Sequence, residues 1–143
     1  AATQLVKAVK DAQQLQHNLH RHFTEEVHEA ATEAWLELRW QLLNGLTTLR
    51  ECASLYGDTD RWHDRLAELA SHMNTFEKDF TTRLFAEVRA GRIDGITLGS
   101  LINDLGYAKR IVRNLQHVLL LGEGDQGQLW LAHADEDDLD APP

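Results

Sequence analysis

Histidines and carboxylates are the residues here whose types could do chemistry, and their spacing decides which chemistry that would be. On a helical wheel His17, His20 and His28 fall roughly on one face, with His22 close by. Imidazoles at i and i+3 can share a transition metal such as zinc. A merely polar histidine face accounts for the same spacing, because a closed site takes four ligands. Glu25 and His28 make one Glu-x-x-His, a motif that di-iron carboxylate bundles carry on two helices. No second copy exists, which argues against a ferritin-like oxidase.

Paired acids offer another route to a metal. Glu77 and Asp104 each lie at the edge of an apolar stripe, about 60° from its centre at 100° per residue. Meeting across a helical hairpin, they could hold Mg²⁺, Fe or Zn²⁺, although a boundary salt bridge with Lys or Arg is the simpler use. The metal-ligand candidates are therefore Glu77, Asp104, His17, His20 and His28. Asp60, Asp64 and Glu68, spaced at i, i+4 and i+8, sit opposite the Trp62/Leu66/Met73 face and should point to water.

Nucleophile chemistry has no support. Cys52 falls on or beside an apolar face and reads as packed. Ser54, Ser71 and Ser100 lack a nucleophile-elbow context, and the Gly91–Gly95 loop has no P-loop lysine and follows no strand. The expectation is a protein with no catalytic residues, no organic cofactor and, at most, a divalent metal.

The elements that must position these groups are helices. The two prolines are Pro142 and Pro143, so the strongest helix breaker is missing from the first 141 residues. Apolar residues recur in steps of three or four from Leu5 through Val9, Ala12, Leu15, Leu19 and Phe23 and on to Tyr56. Thr24-Glu25-Glu26 looks like a cap with first-turn acids, and Asn44-Gly45 is a second weak point. These signals predict a lead-in helix at about 3–22 and a second at about 25–56, with one bent helix as the alternative. Trp62, Leu66, Leu69, Met73, Phe76, Phe80, Leu84 and Val88 give a third helix at about 60–91, closed by Gly91. Thr97 can cap a fourth, at about 97–121. Trp35 and Trp40, five residues apart, cannot both face one core, so one should cover a neighbouring helix or a partner. Short connections make successive helices antiparallel. The fold class is all-α: an antiparallel bundle of three long helices plus an N-terminal lead-in helix. The organisation is 1–23 lead-in helix, 24–122 bundle and 123–143 acidic tail.

Composition narrows the partners. Of the net charge of −9, seven units lie from Gly122 onward, where there is no Lys or Arg, leaving −2 for residues 1–121. Nucleic acid is disfavoured, since phosphate contacts need a basic stripe. No stretch nears the ~20 apolar residues of a membrane span, and the N-terminus has no signal-like apolar centre. One cysteine excludes an internal disulfide and a multi-Cys zinc site. Ala1 without a Met suggests a processed chain or a piece of a longer one.

Within residues 91–115, Gly91-Arg92-Ile93, Ser100-Leu101-Ile102-Asn103-Asp104, Tyr107-Ala108 and Asn114-Leu115 follow one another in a familiar order. This segment resembles the last helical hairpin of the PhoU-like domain at the C-terminus of bacterial sodium/phosphate cotransporter family proteins. That resemblance implies a cytoplasmic, non-catalytic regulatory domain, with the lead-in helix as its connection to a membrane-embedded transporter part. It implies helix packing against the transporter, a partner protein or a second copy. The Glu-Arg pair of that family's last helix is Ala108-Lys109 here, and no Glu/Asp-x-x-x-Asp metal motif falls on a buried face. The alternative is a free-standing metal-binding bundle using the histidines and carboxylates.

Overall fold

The computed structural model describes residues 1–24, 28–55 and 58–121, with the backbone alone at 23 and 24. These residues form four α-helices and no strand: α1 Ala2–Thr24, α2 Glu29–Ser54, α3 Thr59–Arg89 and α4 Gly95–Leu120. The chain is thus an all-α bundle. None of the described helices is long and apolar enough to cross a membrane.

Cross-helix pairs fix the directions. Asp11 meets Arg110 and Asn18 meets Asp104, so α1 runs antiparallel to α4. Glu37–Arg83 and Glu51–Arg65 set α2 against α3, and Glu77–Lys109 sets α3 against α4. The helix at residues 2–24 is more than a lead-in. It packs along α4 as a full member of the bundle, while touching α2 only sparsely.

Local chemistry explains the helix ends. The expected Thr24-Glu25-Glu26 cap lies largely outside the described residues; His28 caps α2, its Nδ1 accepting from Ala30 N at 3.2 Å. Gly91 sits at φ +73° in the C′ position of α3. There its N–H donates to Val88 O and that of Arg92 to Glu87 O, both at 3.0 Å. This is the paired closure that a left-handed glycine permits. The cap of α4 is Asp94 rather than Thr97: its carboxylate accepts from Thr97 N at 2.7 Å, and the helix starts two residues earlier than expected. That bond holds the Asp94 carboxyl below the usual range.

Asn44-Gly45 does not weaken α2, which runs unbroken across it. Gly45 is buried, and a Cβ there would lie 3.2 Å from Val112 Cγ2, so the missing side chain lets α4 approach closely. The core divides in two. One cluster joins Leu15 of α1 to Trp35 and Leu38 of α2, Phe76 and Phe80 of α3, and Leu101 and Leu105 of α4. The other is built from Leu49 and Cys52, from Trp62, Leu66, Leu69 and Met73, and from Val112 and Leu120.

Candidate functional site

The buried face of α1 differs from the apolar stripe read in the sequence. Ala8, Leu15, Asn18 and His22 are buried, whereas Leu5 and Val9 are about half exposed. Two polar side chains therefore enter the interior, and α4 supplies the group that receives them. Asp104 is fully buried. Its Oδ1 accepts from Asn18 Nδ2 at 2.7 Å, and its Oδ2 accepts from Trp35 Nε1 at 3.0 Å and lies 3.1 Å from His22 Nε2. Gln14 donates in turn to Asn18 Oδ1 at 3.0 Å, so one turn-by-turn row of α1 is linked to the carboxylate. The His22 ring stacks on Trp35, with centroids 3.7 Å apart and planes 18° from parallel.

An isolated carboxylate in an apolar interior is too costly to persist ionised, and hydrogen-bonded donors offset that cost. Here the donors come from two other helices, so satisfying Asp104 requires α1, α2 and α4 to be docked together. Both oxygens are engaged and neither faces solvent. The arrangement suits a structural pin between helices.

The sequence-derived ligand candidates do not converge. Glu77 of α3 is half-exposed and pairs with Lys109 across the hairpin, while Asp104 turns toward α1. Glu77 and Asp104 do not pair: Glu77 makes the boundary salt bridge with a lysine that was its simpler use, and Asp104 is buried against Asn18, His22 and Trp35. His17 and His20 lie exposed on α1, and His28 caps α2. Among the described residues no three His, Cys, Asp or Glu side chains group so as to hold a metal ion. Asp60, Asp64 and Glu68 are exposed, as their wheel position required. Cys52 is fully buried, and burial pushes its thiol up, which suits packing and disfavours the reactive thiolate.

Sequence reasoning missed Gln14, Asn18, His22 and Trp35 as partners of Asp104. A signal existed: Ala8, Asp11, Leu15, Asn18 and His22 repeat in steps of three and four, as a helix face must. Its polar members hid it behind the cleaner row of Leu5, Val9, Ala12 and Leu19.

That cleaner row has its own destination. Between α1 and α2 runs an open groove of about 440 Å³, lined by Ala12, Leu15, Gln16, Leu19, His20, Arg39, Leu42 and Leu43. Its lining is mainly aliphatic, its titratable side chains are the base His20 and the cation Arg39, and it holds no carboxylate. Leu36, Trp40 and Leu43 continue the surface along α2, and Trp40 is 62% exposed, while Trp35 is buried at 1%. The two tryptophans do face different environments, one inside the pin and one on the outer surface.

No protein-family model matches the chain, and no curated protein and no solved structure matches it.

Proposed function

We propose that the chain is a non-catalytic docking module that binds a protein partner through the α1/α2 face. The observation that carries this reading is the apolar groove and its Trp40 extension. Large apolar side chains gathered on one face are the usual mark of an interaction surface, and an aliphatic groove between two helices suits an apolar segment laid along it. The pin at Asp104 supports the reading, because it holds α1 and α4 in fixed relation and keeps the groove wall in place. The narrower form, a PhoU-like regulatory domain serving a sodium/phosphate cotransporter, rests on the resemblance of residues 91–115 alone.

The test places a benzophenone amino acid at position 40, and separately at position 64 on the polar side of α3, in cells expressing the complete gene. Light-induced adducts to one defined protein at position 40, with none at position 64, are expected. Adducts to a membrane transporter would carry the narrower form as well. Equal capture at both positions, or none at position 40, would overturn the docking reading.

A further inference from the structure

We propose that the partner on this face is a second copy of the chain. Its α2 lies antiparallel along the outer ridge of α2, with Glu33 of each copy against Arg50 of the other. This rests on the reading of the face as a docking surface and names the partner which that reading leaves open.

The ridge is a seam of its own. Glu33, Leu36, Trp40, Leu43, Thr47 and Arg50 follow in alternating steps of three and four, and all six are exposed. On a wheel at 100° per residue they keep within about 50° of one line, opposite the face that buries Ala34, Leu38 and Leu49. A spacing that averages 3.5 residues keeps two packed helices in contact over several turns. The helix is unbroken across the seam, which runs ~26 Å from Glu33 to Arg50 at 1.5 Å per residue. At its centre stands Trp40, the residue type that most often anchors an interface.

The order of residues along the seam selects the occupant. One end is acidic, the other is basic, and the middle is apolar. Laid antiparallel on itself about a two-fold axis between Gln41 and Leu42, the seam sets Glu33 against Arg50, Leu36 against Thr47 and Trp40 against Leu43. Each contact occurs twice, because such an interface is self-complementary. A parallel pairing would instead bring Glu33 onto Glu33 and Arg50 onto Arg50, and like charges across an interface are disfavoured. A shift of one heptad puts Glu33 on Leu43 in one direction and Arg50 on Trp40 in the other. One register thus satisfies the whole row.

The charges at the two ends are also available. Glu37 and Glu51 of the same helix pair with Arg83 and Arg65 of α3, whereas neither Glu33 nor Arg50 forms an ion pair with another described residue. A single helix pair makes a small contact, so the association should depend on concentration.

The experiment is sedimentation of the purified full chain, which is expected to show a monomer–dimer equilibrium. Glu33→Arg and Arg50→Glu should each weaken it about tenfold, since two attractive end pairs become two repulsive ones. The two single variants mixed in equal amounts should associate as tightly as the wild type, because every end of the mixed pair joins opposite charges. Both positions are exposed, and unchanged circular dichroism will confirm that each variant is folded. A chain that stays monomeric at millimolar concentration would overturn the proposal, and so would reversals that leave the dissociation constant unchanged. The position-40 benzophenone separates this proposal from the docking reading. Adducts of twice the chain's mass carry both, whereas adducts only to a different protein sustain the docking reading and sink the second copy.

Discussion

The two halves of the core solve one packing problem with different materials. Around Asp104 all four helices meet, and a buried carboxylate, an imidazole, an amide and an indole N–H share the interior with Phe80, Leu101 and Leu105. Around Trp62, among the described residues, α2, α3 and α4 contribute the buried side chains, and the interior is Leu49, Cys52, Leu66, Leu69, Met73, Val112 and Leu120. There the Trp62 Nε1 hydrogen is buried with no hydrogen-bond partner among the described residues. Apolar burial alone suffices to close three helices. Adding the fourth, whose inner face is partly polar, takes a specific acceptor. The comparison teaches that α1 adds a buried polar contact with α4 to its apolar packing, which the three-helix half does without.

The largest break in this contrast is Asp104→Ala. It removes the acceptor shared by Asn18, His22 and Trp35 and should cost about 2–5 kcal/mol in urea unfolding, since each buried group that loses its hydrogen-bond partner costs about 1–3 kcal/mol. Amide exchange should accelerate along α1 before it does along α3. A loss below about 1 kcal/mol would show that the pin does not hold α1. In a double-mutant cycle with His22→Ala the two losses should be strongly non-additive, since both remove the same contact.

Leu69→Ala in the three-helix half should cost about 2–5 kcal/mol by leaving a cavity, with no preferential release of α1. The two tryptophans sharpen the comparison further. Both Trp35→Phe and Trp62→Phe remove an indole ring, but only the first removes a hydrogen bond to a carboxylate. Trp35→Phe should therefore cost about 1.5–3 kcal/mol more than Trp62→Phe. Equal losses would mean that the indole N–H at Trp35 contributes little.

Smaller effects lie at the ends and the surface. Thr97 N–H holds the Asp94 carboxyl low, so its cap contributes stability above the free-Asp range, and this is lost as pH falls through the depressed folded value. Asp94→Asn keeps an acceptor at the cap without a titrating group. The wild type should thus lose more of its melting temperature than Asp94→Asn between pH 5 and pH 3, windows set by the ~3.9 of free Asp. Trp40→Ser should leave stability within about 0.5 kcal/mol, as exposed positions do, while weakening capture by a benzophenone placed instead at position 36 of α2.

How much of this was legible in the sequence follows the same divide. The Trp62, Leu66, Leu69, Met73, Phe76, Phe80 row was readable because every member is apolar, and the structure buries all of them. Helix count and direction followed from such rows and from short connections. For α1 the apolar row was right only in part: Leu15 is buried and Leu19 packs against the core, but Leu5 and Val9 are half exposed. Ranking faces by apolarity missed that the inner face also carries Asn18 and His22, which become tolerable inside only once Asp104, 86 residues after Asn18, is in place. The Asp94 cap was misplaced for a smaller reason: Asp and Thr are both good caps, and only geometry chose between them. The spacing of Ala8, Asp11, Leu15, Asn18 and His22 marks a helix face, but no local pattern tells that its polar members are satisfied by a distant helix.

The pin also sets something that apolar packing leaves loose. An aliphatic helix face can slide along its neighbour by a turn and meet nearly equivalent ridges and grooves. Sliding α1 by one turn along α4, about 5.4 Å, would bring at most one of Asn18 and His22 to Asp104 in the other's place, so the present pairing of both with the carboxylate would be lost. The polar contact therefore acts as an index mark: it admits one axial setting of α1 and penalises its neighbours, as a lone polar residue does in a helical coil. Whatever lies along the outer side of α1 meets its side chains at one fixed pitch against those of α2.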